Sequence, residues 1–321
     1  MKPARVTAYR HLTPRDLTPP SAPQVFFEPA DTEIGVWVAQ DLIGEGCAVL
    51  DLGSGSGAAA AAMARAGAAR VHGVDSGADT VAWARGHYTT SDGEGPVTFS
   101  HGDFTALSPA ELLATAPAPL PRPLVVTSNP PYVPLSPRVD ALRRSVGGGP
   151  DGLKLIPAVI AHGRALGEGL GITIGSYSSP RKAVGMLEAA GFAVHAVTLC
   201  PLPFGDFTRD HPDQVLLLEE RGEAVIWRSG PYPPAYFIVG LACHKTTGDE
   251  VRPGHAAGRP GDADAAPRRG RLTGEGLMGL LRAAARSRTT RLEALDEEAS
   301  PPGDVLVRVV DLPQPALRRH W

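Results

Sequence analysis

Cysteine is scarce in this sequence, and the spacing typical of metal ligands is absent. The 321 residues include three cysteines, Cys47, Cys200 and Cys243, which are far apart and odd in number. Such a set cannot form a disulfide framework or a zinc motif. The ten histidines show no ligand spacing either. The sequence therefore predicts buried thiols and no metal site.

The sequence also lacks an apolar run of transmembrane length, a signal peptide and a strong excess of charge. A chain without such segments is expected to be soluble and cytoplasmic, without contact to a membrane. The formal net charge is −3, with 31 basic and 34 acidic side chains. No global basic field draws the chain to nucleic acid, so nucleic acid is disfavoured as a partner.

A glycine-rich turn follows the first strongly apolar run. Residues 47–52 have the length and composition of a buried strand, and the alanine-rich stretch 58–66 favours a helix. Glycines between a strand and a helix let the backbone approach a bound nucleotide or nucleoside closely. The sequence therefore predicts a ligand-binding turn with contacts from Gly53, Ser54, Gly55 and Gly57.

Acidic residues follow the next two predicted strands. Asp75 lies 24 residues after Asp51, about where a ribose-binding acid is expected, and we assign Ser76 to the same site. Asp103 could accept a hydrogen bond from an adenine amino group, and Phe104 could flank the ring. Together these positions predict a pocket for an adenosine group.

The glycine pattern alone also fits an NAD-binding turn, in which the last glycine can be alanine. Asp51 favours a different ligand, because a carboxylate just before the turn would repel a pyrophosphate and attract a cationic amino-acid group. The preferred interpretation is therefore a nucleoside that carries an amino acid, and a dinucleotide is the weaker alternative.

The sequence Asn-Pro-Pro-Tyr at 129–132 follows a fourth apolar run. Two consecutive prolines cannot continue a sheet ladder, and they keep the chain stiff. The amide oxygen of Asn129 and the carbonyl of Pro130 could each accept an N–H bond and orient a nitrogen for attack. Tyr132 adds a flat apolar face. We predict Asn129, Pro130 and Tyr132 as the catalytic residues of an enzyme that alkylates an amine or amide.

The order glycine turn, ribose acid, adenine acid and Asn-Pro-Pro-Tyr resembles class I S-adenosylmethionine-dependent methyltransferases. The last motif resembles that of the branch that methylates nitrogen. This resemblance implies a doubly wound, Rossmann-like α/β fold whose seven-stranded sheet ends in a reversed hairpin. It also implies S-adenosyl-L-methionine as the cofactor and an amine or amide, of a small molecule or of a peptide or protein, as the methyl acceptor.

Two further segments resemble the HemK-type glutamine N-methyltransferases. Residues 27–33 (Phe-Glu-Pro-Ala-Asp-Thr-Glu) resemble that family's segment ahead of the glycine turn, and 148–153 (Gly-Gly-Pro-Asp-Gly-Leu) the segment after the catalytic loop. By this resemblance, Asn129 would hold the target nitrogen together with the carbonyl that follows it. Thr32 and Glu33 would help to close the cofactor pocket.

The resemblance covers residues 25–192 and leaves the acceptor open. The bacterial release-factor enzymes carry a helical domain ahead of the fold, for which the first 25 residues leave no room. A small-molecule N-methyltransferase and a HemK-like protein methyltransferase are both compatible with the motifs. A nucleic-acid amino-methyltransferase and a noncatalytic subunit that binds S-adenosylmethionine are further alternatives.

The sequence predicts four segments: an N-terminal arm at 1–24, a methyltransferase domain at 25–245, a linker at 246–271 and a helix–strand extension at 272–321. We expect the arm to lie over the cofactor cleft or to have no fixed structure. The extension is too small to bury a core alone. It must dock on the main domain or on a second subunit, which would form a homodimer.

Three apolar runs after the sixth strand, at 215–218, 224–227 and 236–243, predict antiparallel strands. Two of them would form the terminal hairpin, and the third would be an insertion near the active site. The aromatic residues that could line an acceptor pocket there are Phe204, Phe207, Trp227, Tyr232 and Tyr236.

Overall fold

The computed structural model describes residues 4–21, 25–89, 95–141, 146–228, 233–246, 271–286 and 305–313. The strands are β1 (Ala4–Val6), β2 (Ala48–Leu52), β3 (Arg70–Asp75), β4 (Val97–His101), β5 (Leu124–Ser128), β6 (Gly169–Gly175), β7 (Phe192–Pro203), β8 (Ala235–Lys245) and β9 (Leu306–Val310). The helices are α1 (Pro29–Gln40), α2 (Ala58–Arg65), α3 (Ala78–Tyr88), α4 (Pro109–Ala114), α5 (Pro137–Asp140), α6 (Ile156–Leu166), α7 (Pro180–Ala189), α8 (Asp206–Asp210), α9 (Asp213–Glu220) and α10 (Gly274–Arg286). No helix in these ranges is long and apolar enough to cross a membrane.

The described strands form one sheet in the order β1-β9-β7-β8-β6-β5-β2-β3-β4. Strand β8 runs antiparallel to both β6 and β7, and the other pairs are parallel. The predicted Rossmann-like α/β sheet with its reversed terminal hairpin, β7–β8, is therefore confirmed. Strands β9 and β1 extend it beyond the predicted seven strands.

Helices cover both faces of the sheet, which explains why every residue of the central strands β2, β5 and β6 is buried. In β2, Leu50 and Leu52 belong to one core and Val49 belongs to the other. Helices α1, α2 and α3 pack on the side of Val49, while α4, α6, α7 and α10 pack on the side of Leu50. A third cluster, rich in aromatic residues, surrounds Tyr177 and Tyr236 near the start of α1.

Strands β2, β3, β4 and β5 are mutually parallel, so their carboxyl ends meet at one edge of the sheet. The glycine turn, Asp75, Asp103 and Asn129 each follow one of these ends. Ligands of doubly wound sheets bind at this edge. The topology thus brings residues together that lie as much as 76 positions apart.

The prediction of three antiparallel runs was wrong for two of them. Residues 215–218 lie in α9, where Val215 and Leu218 are buried on one face and Leu216 is 44% exposed. An apolar run this short fits one helix face as well as a strand. Residues 224–227 contribute an isolated bridge between Trp227 and Ala235. The hairpin is formed by β7 and β8 instead.

Residues 272–286 and 305–313, the described part of the predicted extension, dock on the same chain. Helix α10 packs against α7 with Leu277 and Leu281 fully buried, and β9 lies between β7 and β1 in the sheet. Residues 247–270, most of the predicted linker, lie outside the described residues. The segment boundaries remain a prediction, although β9 continues the main sheet.

The described part of the N-terminal arm, residues 4–21, does not follow the predicted path over the cleft. Strand β9 pairs with β7 on one side, and β1 pairs with its other side. Strand β1 therefore lies at the end of the sheet opposite β4. Further along, Tyr88 donates a hydrogen bond to Asp16 at 2.9 Å, and Arg65 contacts the same carboxylate at 2.6 Å. These contacts hold the arm against α2 and α3.

Candidate active site

A cleft of about 940 Å³ lies along the carboxyl ends of the parallel strands. Of the predicted site residues, it is lined by Gly53, Gly55, Asp75, Ser76, Asp103, Phe104, Asn129, Pro130 and Tyr132. An adjoining smaller cavity is lined by Thr32, Asp51 and Ser54 and shares Gly53, Gly55 and Asn129 with the cleft. The predicted site is therefore brought together, except for Gly57, which lines neither cavity.

Backbone bonds hold the glycine turn against the end of β3. The N–H groups of Gly53 and Ser54 donate to the carbonyl of Val74 at 2.8 and 3.2 Å. Gly55 has a left-handed backbone, with φ of 53°. Gly57, at φ 83°, has a packing role, because a Cβ there would lie 2.7 Å from the ring of Phe99.

Asp75 is oriented by two backbone donors. Its Oδ1 accepts from the N–H of Gly77 at 2.8 Å, and its Oδ2 accepts from Gly55 at 2.9 Å. Burial raises the pKa of Asp75 above its ordinary value, and the bonds from Gly77 and Gly55 offset only part of this rise. Each carboxylate oxygen can accept a second bond, so the oriented carboxylate suits the two hydroxyls of a ribose.

Asp51 is a buried acid in the smaller cavity. It is 4% exposed and accepts a hydrogen bond from Thr127 Oγ1 at 2.9 Å. Burial raises the pKa of Asp51 to about 6; the bond from Thr127 opposes this shift, and the charge of Asp75 adds to it. Beside it, Ser54 Oγ is buried with no partner among the described residues. A cationic amino-acid group would satisfy both side chains.

Two sets of hydrogen bonds fix the loop after β4, and one of them comes from a histidine that the sequence analysis missed. Asp103 Oδ1 accepts from Thr105 N and Oγ1 at 2.9 and 2.6 Å, which orients its carboxylate at the cleft. The carbonyl of Phe104 accepts from His162 Nε2 at 2.8 Å. His162 follows no motif and belongs to α6, so no local sequence signal identifies this contact.

Asn129, which lines the cleft, carries an unsatisfied acceptor. Its Oδ1 is buried and has no hydrogen-bond partner in the described part of the chain. Ser128 Oγ donates to the carbonyl of Leu52 at 2.8 Å and ties the end of β5 to β2. A buried polar atom without a partner costs about 1–3 kcal/mol. Such an atom beside a cleft fits a ligand that brings an N–H group.

Tyr132 is held by a buried carboxylate. Its hydroxyl donates to Asp31, with distances of 2.7 and 2.8 Å to the two carboxylate oxygens. Burial raises the pKa of Tyr132 well above its ordinary value, and the charge of Asp31 adds to the shift. The phenol therefore stays neutral, and its ring forms a fixed wall of the cleft next to Asn129.

The glycine-rich segment after α5 supports this loop from behind. Val133 N donates to the carbonyl of Val146, and Gly148 N donates to the carbonyl of Val133 at 2.8 Å. A Cβ on Gly148 would lie 2.7 Å from the Cα of Tyr132, and one on Gly152 would lie 2.6 Å from its carbonyl oxygen. These glycines allow the two backbones to approach, which accounts for the motif at 148–153.

Replacing Gly152 with alanine is expected to destabilise the fold and lower turnover. Its φ is +77°, and the new Cβ would also lie 2.5 Å from Ser178 Cβ. Such crowding costs about 1–3 kcal/mol. Gly185→Ala is the matched control, because this helical glycine has open space around it and should gain about 0.5–1 kcal/mol. Urea unfolding and initial rates measure both; equal effects of the two substitutions would contradict the packing role.

Of the two residues expected to help close the cofactor pocket, the structure brings only Thr32 to it. Glu33 is fully buried and points to the N-terminal arm, where it accepts from the N–H groups of Arg10, His11 and Leu12 and from His11 Nδ1. Burial raises the pKa of Glu33, but the bonds from His11 and the arm backbone outweigh it and lower the pKa.

The proposed aromatic residues divide into two groups. Phe207 and Tyr236 line the cleft, and Phe204 packs against Tyr177 with a ring-centroid distance of 5.8 Å. Trp227 packs against Phe237 in the core of the sheet. The fifth residue, Tyr232, lies outside the described residues.

Comparison with family models supports the predicted class of enzyme, a methyltransferase. Residues 49–114 match the family model described as "Methyltransferase domain". No curated protein matches the chain. The chain therefore contains a class I S-adenosylmethionine-dependent methyltransferase domain and is an enzyme that uses S-adenosyl-L-methionine.

Solved structures resemble the fold at low sequence identity. A structure described as a candidate RNA methyltransferase from Pyrococcus horikoshii is 14% identical, with 75% of this chain and 93% of that chain covered and a TM-score of 0.45. The ribosomal protein L11 methylase of Lactobacillus delbrueckii subsp. bulgaricus is 16% identical, with coverages of 70% and 82% and a TM-score of 0.39. The E. cuniculi Mtq2–Trm112 complex, which methylates the termination factor eRF1, is 17% identical, with coverages of 69% and 99% and a TM-score of 0.39. These likenesses do not select an acceptor.

Affinity for the cofactor is expected to rise with pH. Asp51 has a pKa of about 6, so its ionised fraction grows from roughly one tenth at pH 5 to roughly nine tenths at pH 7. Only the ionised form attracts the amino group of S-adenosyl-L-methionine, which stays cationic over this range. Calorimetry should show about a tenfold gain in affinity between these pH values. In Asp51→Asn the profile should lose most of its slope; an equally steep profile in this variant would contradict the assignment.

Proposed function

We propose that the enzyme transfers the methyl group of S-adenosyl-L-methionine to an amine or amide nitrogen of a small molecule, an amino acid or a peptide. The observation that carries this proposal is the buried Oδ1 of Asn129, which has no hydrogen-bond partner among the described residues. Asn129 lines the cleft beside the stiff Pro130-Pro131 backbone. Two acceptors, Asn129 Oδ1 and the carbonyl of Pro130, suit a nitrogen that carries two N–H bonds.

The chain's own residues bind and orient the reactants. Asp75 and Asp103 hold the ribose and adenine, and Asp51 holds the amino group. When bound, S-adenosyl-L-methionine supplies an activated methyl group. Asn129 and Pro130 fix the acceptor nitrogen and stabilise the positive charge that develops on it. Alignment of this kind is worth about 7–11 kcal/mol of the barrier.

A HemK-like transfer to a protein glutamine is the second candidate. The observation that favours it is the contact of the glycine-rich segment with the Tyr132 loop, since this segment resembles that family's. The formal net charge of −3 disfavours a nucleic-acid acceptor. A noncatalytic role would not explain why Asn129 Oδ1 is buried without a partner among the described residues.

The apolar faces of α10 and β9 are buried within the chain. We therefore do not propose a homodimer through these residues. A cytoplasmic location remains a prediction.

A methyl-transfer assay tests the proposed function. Purified protein is incubated with methyl-labelled S-adenosyl-L-methionine and separate pools of amines, amino acids, glutamine-containing peptides and nucleosides. The expected result is label on a nitrogen of an amine, amino-acid or peptide substrate. Label on carbon or oxygen, or on nucleosides alone, would contradict the proposal.

A further inference from the structure

The cleft is lined by an excess of acidic residues. Its charged lining residues in the described part of the chain are Asp31, Asp75, Asp79, Asp103 and Lys154, with His101 as the remaining titratable base. The ammonium of Lys154 pairs with Asp140 at 2.7 Å. A cleft lined by one sign of charge concentrates ligands of the opposite sign. This cleft therefore attracts cations and repels polyanions such as nucleic acid.

Asp31 has no task in holding the cofactor's adenosine. Asp75 and Asp103 follow β3 and β4 and serve the ribose and adenine, whereas Asp31 lies in the first turn of α1. It is 2% exposed and, like Asn129, lines both the cleft and the smaller cavity. The N-terminal end of a helix stabilises a negative charge. The hydrogen bond from Tyr132 places this carboxylate on the acceptor side of the site.

Three tyrosines form a wall around this carboxylate. The rings of Tyr177 and Tyr236 are 4.4 Å apart between centroids, and that of Tyr132 lies 6.2 Å from Tyr177. Because Tyr132 donates its hydroxyl hydrogen to Asp31, the 3.2 Å contact between Tyr132 and Tyr236 has Tyr236 as donor. Aromatic faces attract organic cations, more strongly where water is excluded.

The carboxylate is electrostatically coupled to all three rings. Burial raises the pKa of Tyr132, Tyr177 and Tyr236, and the negative charge of Asp31 raises each of them further. The wall therefore consists of neutral phenols next to one anion. A neutral amide has no charge to match this anion, whereas an ammonium group has one.

We propose that the methyl acceptor is a small organic amine, cationic in solution, whose ammonium group binds Asp31 within the wall of Tyr132, Tyr177 and Tyr236. This inference rests on the proposed N-methyl transfer and specifies its substrate class. An amide, a nucleobase and a carboxylate ligand lack the charge that this site selects.

The same placement accounts for the protons of the acceptor. One N–H proton of the ammonium passes to the Asp31 carboxylate, which frees the lone pair. The neutral amine then turns away from Asp31. For a primary amine, its two remaining N–H groups bond to Asn129 Oδ1 and the carbonyl of Pro130, which directs the lone pair at the sulfonium methyl. The nitrogen lone pair then forms the new N–C bond, and the electron pair of the broken S–C bond stays on sulfur. Asp31 returns its proton to solvent when the methylated ammonium leaves.

Three probes of similar shape and different charge test the proposal: benzylamine, benzamide and benzoate. Their binding is measured by calorimetry at pH 7.5 with protein saturated with S-adenosylhomocysteine. Benzylamine is expected to bind about tenfold more tightly than benzamide, and benzoate most weakly. Equal or tighter binding of benzamide, or no binding of benzylamine, would overturn the proposal without use of any variant.

Two matched substitutions locate the selectivity. Asp31→Asn keeps the size of the side chain and should abolish the preference for benzylamine. Asp79→Asn removes another carboxylate of the same cleft and should keep the preference. Affinity for S-adenosylhomocysteine and the melting temperature verify that both variants fold. If the preference survives in Asp31→Asn, Asp31 is not the anion that selects the amine.

The failure of this inference is distinguishable from failure of the proposed function. An enzyme that methylates an amide nitrogen and prefers benzamide would refute the amine inference alone. A protein that binds S-adenosylhomocysteine but labels no nitrogen in the methyl-transfer assay would refute N-methyl transfer itself.

Discussion

Replacing Asn129 with alanine is expected to lower turnover about 100-fold or more and to change the affinity for S-adenosyl-L-methionine by less than about threefold. In the proposed mechanism, the substitution removes one of the two oxygen atoms that orient the substrate nitrogen and stabilise its developing charge. The loss of one such polar group in an active site typically costs about 10²–10³-fold in rate. The residues proposed to hold the cofactor, Asp51, Asp75 and the glycine turn, remain in place.

Asn129→Asp is the informative companion variant, because it keeps an oxygen acceptor at the same position. We expect it to retain more turnover than Asn129→Ala. Steady-state rates and calorimetry with S-adenosyl-L-methionine separate the two effects. A turnover within a few-fold of the parent in Asn129→Ala would remove Asn129 from the catalytic residues. A parallel loss of cofactor affinity would indicate a role in binding instead.

Replacing Arg308 with alanine is expected to lower the free energy of unfolding by about 3–5 kcal/mol. This strand residue is 7% exposed, and its guanidinium bonds both oxygens of Asp41, at 3.0 and 2.9 Å. It also donates to Thr198 Oγ1 at 3.0 Å and lies 4.1 Å from the ring centroid of Trp37. Its loss leaves a largely buried carboxylate at the end of α1 without a partner.

Controls separate this pair from a general loss of charge. Arg282→Ala, on the exposed side of α10, should change stability by less than about 0.5 kcal/mol. The double variant Arg308→Ala with Asp41→Ala should be less unstable than the sum of the two single variants, because neither charge is then left buried alone. Urea unfolding measures all four. Additive losses in the double variant would contradict the pairing.

The sequence predicted which residues lie together in the proposed cofactor half of the site. A strand followed by a glycine turn and a helix has a fixed geometry, and parallel strands place Asp75, Asp103 and Asn129 at one edge whatever the loop lengths. The same reasoning could not assign Gly57 to packing, since its role depends on the ring of Phe99 on another strand.

The acceptor half depended on contacts that no local pattern reports. Asp31 and Tyr132 are 101 residues apart, and their hydrogen bond follows from how α1 packs across the sheet. The pairing of β1 with β9 joins residues 304 positions apart, Ala4 and Arg308. In α9, the run of four apolar residues at 215–218 fits a strand as well as a helix. It forms a helix, whose Val215 and Leu218 belong to the same buried cluster as Tyr177.

A crystal structure with S-adenosylhomocysteine tests the central claim most directly. The account predicts that the ribose hydroxyls bond to Asp75, that the amino group contacts Asp51 and that the sulfur faces the Asn129 amide. Density for the ligand away from the glycine turn, or a sulfur atom remote from Asn129, would contradict it.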